Sequence, residues 1–127
     1  MKPTVDQLTV VDLPHFRDDR GLLVPVEFSK FVPYAVKRMF WIADVPAGGE
    51  RGGHAHKRCH QFAICTTGLV AIEAFDGHTK RTVELATGQA LHIQPGIFTT
   101  EKFIAPNTIL VVLCDRAYEP TDYLYEL

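Results

Sequence analysis

The sequence predicts a single all-β domain, a sandwich or a barrel, and three observations support that prediction. The chain has 127 residues and is 46% hydrophobic, which suits one globular core and leaves no room for a second. Short apolar runs follow one another, and none keeps a helical period beyond one or two turns. The eight prolines lie at the boundaries of these runs, where they end strands. Short apolar runs separated by turn residues are typical of sandwiches and barrels.

The apolar runs predict nine strands along the chain. Their bounds are 8–13, 21–28, 36–45, 60–66, 69–75, 81–86, 90–93, 98–103 and 108–115. Asp76-Gly77 predicts a hairpin turn between two of them, and Thr67-Gly68 predicts a second tight reversal. No linker, repeat or low-complexity stretch interrupts the series, so we expect one domain over residues 1–127.

The chain ends in a segment of different character. Residues 119–125 begin like a short helix, with Thr121 or Asp122 available as its N-cap. The strands predicted in the first forty residues are long, and in small sheet proteins such strands often pair with a neighbouring subunit and so remove an exposed edge. We therefore expect a strand-exchanged homodimer.

Composition excludes several classes of partner. The formal net charge of −2 provides no basic field for nucleic acid. The first twelve residues lack the features of an export signal, and no apolar stretch is long enough to span a membrane, so we expect a soluble, cytoplasmic protein. The three cysteines form no CxxC pair, which suits a reducing compartment. Cys65 and Cys114 are predicted to be buried core thiols, whereas Cys59 lies among histidines.

Those histidines form the most informative motif of the chain. His54 and His56 are two residues apart, beside basic side chains and glycines. In a strand, residues i and i+2 face the same way, so both imidazoles would point into one cavity. Such a pair holds a metal or transfers protons. Gly52 and Gly53 would permit a bulge or a close backbone approach next to the pair.

The spacing around this pair resembles the first motif of the cupin superfamily, in which two histidines and a glutamate are metal ligands. Here the pattern is Gly48-x5-His54-x-His56-x4-Gln61-x6-Gly68, with a neutral amide where the carboxylate stands. The second cupin motif resembles Gly88-x6-Pro95-Gly96. The resemblance implies a cupin, jelly-roll-like fold.

The metal ligands of that superfamily are incomplete in this chain. The region of the last histidine ligand is occupied by Phe98, Thr99 and Thr100. A catalytic metal normally keeps three protein ligands, and the nearby substitutes are only His60 and His92. Strand alternation places His60 on the opposite face from Gln61. We therefore expect no metal, and proton transfer as the function of the pair.

A narrower resemblance covers most of the chain. The sequence is similar to the dTDP-sugar 3,4-ketoisomerases in Asp19-Arg20-Gly21-Leu22-Leu23, Val36-Lys37-Arg38, Arg51-Gly52-Gly53-His54-Ala55-His56-Lys57, His60-Gln61-Phe62, Asp76-Gly77, Leu113-Cys114-Asp115 and Tyr118-Glu119-x2-Asp122-Tyr123. These enzymes interconvert the 4-keto and 3-keto forms of a dTDP-6-deoxyhexose, a step toward 3-amino-3,6-dideoxy sugars of bacterial surface polysaccharides. The resemblance implies an isomerase for which dTDP-4-keto-6-deoxyglucose is the substrate and no cofactor is needed.

It also implies roles for the histidines. Neutral histidine serves as base and acid near neutral pH because its pKa is near 6.5. We expect His54 to be the base at C3 of the sugar and His56 to be its partner near the C4 oxygen. The residues expected to bind substrate are Arg20, Arg51, Lys57, Gln61, Phe40 and Trp41. The arginines would grip the pyrophosphate or sugar hydroxyls through paired hydrogen bonds.

One position departs from the family pattern, and two other functions compete. Many members carry a tyrosine in the aromatic pair after Lys-Arg, whereas here Phe40 and Trp41 offer no phenol. The hydroxyl's role would then be absent, or taken by water or another group.

One alternative function is a dTDP-sugar 3,5-epimerase, which also uses a histidine base on a 4-keto sugar. The other is a cupin that binds a nucleotide sugar without turnover.

Overall fold

The computed structural model describes residues 2–127, and its architecture is two five-stranded antiparallel sheets with a separate two-stranded ribbon. The strands are β1 Val10–Asp12, β2 Phe16–Asp18, β3 Gly21–Leu23, β4 Arg38–Ile42, β5 Gly49–His56, β6 Gln61–Thr67, β7 Leu69–Phe75, β8 Lys80–Ala86, β9 Gln89–Ile93, β10 Phe98–Phe103, β11 Ile109–Cys114 and β12 Tyr123–Leu124. The first sheet has the order β1-β9-β6-β11-β4, and the second has the order β12-β5-β10-β7-β8. The ribbon consists of β2 and β3. The all-β prediction is confirmed.

Helical structure in residues 2–127 is limited to three short segments: the 3-10 turns Val5–Gln7 and Pro120–Asp122, and the single-turn α-helix Phe28–Phe31. No helix in this part of the chain is long and apolar enough to cross a membrane.

The main core lies between the two sheets. Ile72, Leu85 and Phe103 from the second sheet pack in one cluster with Leu91 and Leu110 from the first, and all five are at most 1% exposed. Alternate residues of each strand point into this layer because side chains alternate across a strand. Cys65 and Cys114 also lie fully buried in it, as predicted.

The first sheet is buried on both faces. Phe62, Ile64 and Leu113 form a second buried cluster with Leu13 and Val32, which come from the segments on either side of the ribbon. The N-terminal third of the chain therefore covers the outer face of this sheet. The polar site described below lies on the opposite face, between the two sheets.

Between residues 60 and 115 the predicted strands agree with the structure to within one residue at each end, whereas they differ more in the first half of the chain. The segments at 69–75 and 98–103 have the predicted bounds. The segments predicted at 21–28 and 36–45 are shorter, since β3 ends two residues before Pro25 and β4 ends before Pro46. β5 is absent from the nine predicted strands because three of its eight residues are glycines, which have low strand propensity.

The prediction for the C-terminal cap is wrong. The Pro120–Asp122 turn starts from Glu119 at the N-cap position, with no capping hydrogen bond from a side chain. Asp122 instead lies inside the turn, and its carboxylate binds groups on another segment. The turn then leads into β12, which pairs with β5 at Tyr123 opposite His56.

Candidate active site

A cavity of about 360 Å³ opens between the two sheets, and its polar side chains are of types that bind anions and transfer protons. Its lining consists of Arg38, Phe40, Trp41, Ile42, Arg51, Gly52, His54, Gln61, Ala63, Ile93, Glu101, Val112 and Tyr123. β4, β6, β9 and β11 form one wall, and β5, β10 and β12 form the other.

A bulge in β5 positions the histidines. Thr99 on β10 pairs with His54, and the next residue pairs with Gly52, so Gly53 is the extra residue of the bulged strand. Gly52 and Gly53 have φ of +90° and +81°, a region that favours glycine. The expected bulge is thus confirmed. Beyond it, His54 and His56 lie on one face, with their ring centroids 5.2 Å apart.

The two histidines differ in depth. His54 is half-buried and lines the cavity, whereas His56 is 7% exposed and lies deeper. The Nδ1 of His56 is 3.2 Å from Oδ2 of Asp122, which is itself 3% exposed. A carboxylate accepts hydrogen bonds only, so Nδ1 carries the proton and Nε2 presents a lone pair. Among residues 2–127, this buried Nε2 has no hydrogen-bond partner.

Asp122 is held firmly in place. Its Oδ1 accepts a hydrogen bond from the Arg58 backbone N–H at 2.8 Å, and its Oδ2 accepts one from the Cys59 backbone N–H at 3.1 Å. The side chain thus joins the C-terminal turn to the loop after β5. The sequence interpretation treated Asp122 as a cap, although its place in the C-terminal motif of the resemblance was a signal for a role in the site.

Burial keeps both imidazoles neutral near pH 7. It is the main cause that lowers the pKa of His54, and the neighbouring His56 lowers that pKa further. Burial also lowers the pKa of His56, although the hydrogen bond to Asp122 acts in the opposite direction. Two neutral imidazoles are suited to accept protons.

Tyr123 was not among the predicted site residues. Its ring packs against both histidines, with centroid distances of 4.7 Å to His54 and 4.6 Å to His56. Burial raises the pKa of its phenol, and the side chain of Arg38 acts against that shift. Tyr123 and Arg38 therefore bring a hydroxyl and a guanidinium to the cavity from outside the histidine motif.

Glu101 is a further site residue that the sequence analysis missed. It lies on β10 and lines the cavity, and its Oε1 accepts a hydrogen bond from the Thr99 hydroxyl at 3.3 Å. Its buried Oε2 has no partner among residues 2–127. Burial raises the pKa of this carboxyl to about 7. Thr99 occupies the region where the cupin resemblance would have placed the last histidine.

Four of the six predicted substrate-binding residues lie at the cavity. Gln61, Phe40 and Arg51 line the cavity, and Trp41 borders it while remaining 63% exposed. The structure does not bring the remaining two to the cavity lining. Arg20 lies at the ribbon turn and pairs with Asp18 at 2.6 Å, and Lys57 is an exposed residue after His56. His60 lies on the opposite side of β6 from Gln61, as alternation predicts, where it contacts His92.

The described residues contain one group that could hold a metal ion, formed by His56, Cys59 and Asp122, whose donor atoms lie within 4.8 Å of one another. Both Asp122 oxygens already accept backbone hydrogen bonds. The pKa of the Cys59 thiol is raised, mainly by its contact with Cys114 and by burial, so the thiolate that binds metals is disfavoured. This donor set fits a hydrogen-bonded support for His56 better than a metal centre.

The fold and site define a class: small double-sheet β proteins with a pair of histidines beside a cavity between the sheets. A family model described as FdtA, WxcM-like, C-terminal, matches residues 6–127, and the chain belongs to that family.

The relatives share one activity in their names. A curated TDP-4-oxo-6-deoxy-alpha-D-glucose-3,4-oxoisomerase from Aneurinibacillus thermoaerophilus is 28% identical over 116 residues, which is 91% of this chain and 84% of that protein. The solved structure of QdtA, a sugar 3,4-ketoisomerase from Thermoanaerobacterium thermosaccharolyticum in complex with TDP, is 27% identical with a TM-score of 0.88, covering 97% of this chain and 90% of that one.

Two further structures test how specific this likeness is. WlaRB, a TDP-quinovose 3,4-ketoisomerase from Campylobacter jejuni, is 28% identical with a TM-score of 0.86, covering 96% of this chain and 95% of that one. A dTDP-4-dehydrorhamnose 3,5-epimerase from Bacillus anthracis has a TM-score of 0.80 at 17% identity, covering 92% and 77%. The likeness to the epimerase extends to the fold alone.

Proposed function

We propose that this protein is a TDP-sugar 3,4-ketoisomerase that moves the ketone of dTDP-4-keto-6-deoxyglucose from C4 to C3. The observation that carries the proposal is the arrangement of His54 at the cavity with the His56–Asp122 pair directly behind it, in a chain of the FdtA family. The curated relative is named for this reaction. QdtA, in mutant form, has been solved with TDP-4-keto-6-deoxyglucose bound.

The reaction requires only proton transfers. A base removes the proton from C3, an enediol or enediolate forms, and a proton returns at C4. His54 is the better candidate for the base at C3, because it lines the cavity and its lowered pKa keeps it neutral. His56 is its partner beneath the cavity lining: Asp122 orients its ring, and Nε2, which has no hydrogen-bond partner among residues 2–127, is available to exchange a proton.

The anionic half of the substrate needs cations at the cavity. Arg51 and Arg38 both line it, and a guanidinium can bind pyrophosphate oxygens through two parallel hydrogen bonds. Phe40 and Trp41 would wall the sugar or the base, and Gln61 would offer its amide to a sugar hydroxyl. Lys57 would contribute charge from the surface next to the histidine strand.

The decisive experiment is product analysis with purified protein and dTDP-4-keto-6-deoxyglucose. We expect a 3-keto product, trapped by an aminotransferase specific for 3-keto sugars and identified by NMR. A 3,5-epimerase would leave the ketone at C4 and exchange the proton at C5. A binding module would form no product while binding dTDP tightly, as measured by calorimetry. Either result would overturn the proposal.

We also propose that the protein works as a cupin homodimer with exchanged strands. The β2–β3 ribbon pairs with neither large sheet, and its Phe16 and Leu23 are 62% and 63% exposed. β4, at the edge of the first sheet, exposes Met39 and Trp41. Exposed edges and apolar side chains of this kind favour pairing with a second copy.

Such pairing would give Arg20, at the ribbon turn, a route to the partner's cavity. Light scattering after gel filtration would reveal a dimer mass, and a monomer mass for the active enzyme would contradict this assembly.

A further inference from the structure

The carboxyl of Glu101 has no role in the mechanism proposed so far, although it faces the same cavity as His54. On β10, Glu101 pairs with Arg51 of β5, and two residues earlier Thr99 pairs with His54. Glu101 and Thr99 therefore share the inner face of the second sheet. The sheet register alone places the carboxyl next to the bulge that positions the histidine.

The space around this carboxyl depends on the absence of a side chain. A Cβ atom at position 52 would collide with Oε2 of Glu101 and would lie 3.0 Å from the backbone oxygen of Thr99. Gly52 thus provides the room that the carboxyl occupies. Oε1 accepts the Thr99 hydroxyl, and the buried Oε2 lacks a partner among residues 2–127. An unpartnered buried oxygen is costly unless a ligand completes its hydrogen bonds.

The charge state of Glu101 follows from its surroundings. The titratable and charged side chains that line the cavity with it are Arg38, Arg51, His54 and Tyr123. Arg51 favours the carboxylate, but burial dominates and raises the pKa of Glu101 to about 7. At neutral pH both the acid and the carboxylate are therefore populated, which is the condition for a group that gives a proton and takes one back.

Ketone migration also requires proton transfer at the two sugar oxygens, whereas His54 carries the proton of the carbon atoms and His56 lies behind it, outside the cavity lining. As the proton leaves C3, the oxygen on C4 must gain a proton, and the hydroxyl on C3 must then lose one. These two oxygens are on adjacent carbons, so one group with two acceptor positions can serve both. Phe40 and Trp41 carry no hydroxyl for this purpose.

We propose that Glu101 is a further catalytic residue, the group that carries the proton between the two oxygens of the sugar. The protonated carboxyl gives its proton to O4 while His54 takes the proton from C3, forming the enediol. The resulting carboxylate then takes the proton from O3 while the histidine returns its proton to C4. The C3 carbonyl forms, the carboxyl is protonated again, and no oxidant or reductant is consumed. This assignment rests on the proposed ketoisomerase function.

The test replaces Glu101 by its neutral isostere. Glu101→Gln keeps the shape of the side chain, and its amide resembles the protonated carboxyl in offering both a donor and an acceptor, but it cannot give up or take a proton. We expect kcat to fall by about 10²-fold or more with KM changed less than threefold. In the variant, the C3 proton should exchange in deuterated water at a higher rate than product forms. The matched control is Glu73→Gln on β7, an exposed carboxyl opposite Thr100, which should leave kcat unchanged.

Three outcomes separate the possibilities. If the wild-type protein makes no 3-keto product, the proposed function fails and the assignment fails with it. If the wild type is active and Glu101→Gln retains kcat within threefold, only the assignment of Glu101 is wrong. If instead Tyr123→Phe shows the loss of kcat with preserved C3 exchange while Glu101→Gln does not, the phenol carries the proton.

Should Glu101→Gln fail to fold, the pH profile of wild-type kcat decides, since our proposal requires kcat to fall as pH rises above about 7.

Discussion

Two pairs of histidines in this molecule have the same ring separation and entirely different surroundings. The rings of His54 and His56 are 5.2 Å apart, and so are those of His60 and His92. In the first pair, His54 lines the cavity between the sheets, and Asp122 is hydrogen-bonded to the deeper His56. The second pair lies on the outer side of the first sheet, away from that cavity.

The two histidines of the outer pair, His60 and His92, form a hydrogen bond with each other. Nδ1 of His60 lies 2.9 Å from Nε2 of His92 and the rings are stacked, so each ring uses one nitrogen on the other. Tyr34 packs against both rings at 5.8 Å. In the inner pair, one nitrogen of His56 is bound to a carboxylate and the other is free. The partner of the second nitrogen, more than the spacing of the rings, decides whether a histidine can exchange protons with a ligand.

The largest effect should come from removing a member of the inner pair. We expect His54→Asn to lower kcat for ketone migration by about 10³-fold, within the range for loss of a general base. His92→Asn, in the outer pair, should leave kcat within threefold. Product formation followed by NMR checks both variants, and C3 exchange in deuterated water identifies which inner histidine is the base. If His56→Asn stops that exchange while His54→Asn does not, the order within the pair is reversed.

The next largest loss of kcat should come from changing Asp122, the carboxylate that is hydrogen-bonded to His56 of the inner pair. We expect Asp122→Asn to lower kcat by about 10²-fold, because an amide no longer fixes the His56 tautomer with the proton on Nδ1. Nitrogen-15 NMR of the imidazoles should show a change of tautomer for His56. The matched control is Asp115→Asn beside the outer pair, where Oδ1 accepts the His60 backbone N–H. Unaltered tautomers and kcat in Asp122→Asn would contradict a positioning role.

A smaller effect should appear as pH is lowered. Because burial lowers the pKa of His54 below 6.5, the base stays neutral at neutral pH and is protonated only in more acidic solution. We expect kcat/KM to fall about tenfold per pH unit below that lowered pKa, with little loss between pH 6.5 and 7. Measuring kcat/KM from pH 5 to 8 tests this. Binding of a substrate analogue, measured over the same pH range, shows whether affinity changes as well. An acid limb beginning above pH 7 would contradict the burial argument.

The smallest effect concerns stability. The folded-state pKa of Glu101 is raised to about 7 from 4.5, so folding favours the protonated form and that stabilisation is lost as pH rises through this window. The inner histidines act oppositely, because their lowered pKa values reduce stability on acidification below 6.5. We therefore expect the stability difference between Glu101→Gln and wild type to grow in favour of the variant by up to about 3 kcal/mol between pH 4.5 and 8.

Urea unfolding at several pH values measures this difference. Comparing the variant with the wild type cancels the histidine contribution, since both proteins contain the same histidines. A stability difference that does not vary with pH would mean that folding does not raise the pKa of Glu101 above its ordinary value of 4.5. The proton-carrying role would then lose its physical basis.

The positions of the central strands and the histidine geometry were predictable from local pattern. Short apolar runs bounded by turn residues identified those strands, and the i, i+2 spacing placed His54 and His56 on one face. The adjacent glycines indicated either a bulge or a close backbone approach, and the structure shows the bulge, with positive φ at both. The same glycines hid β5 from the strand prediction, since residues chosen for unusual backbone geometry have low strand propensity.

The sequence by itself therefore determined the all-β class, the family and the inner histidine pair, because each depends on short-range periodicity or on a contiguous motif. Only the tertiary structure decided what each histidine contacts. Asp122 lies 66 positions from His56, and Glu101 reaches the cavity through the register of β10 against β5. Such contacts, and the burial that shifts the pKa values of these groups, come from long-range packing of the two sheets, which no local pattern records.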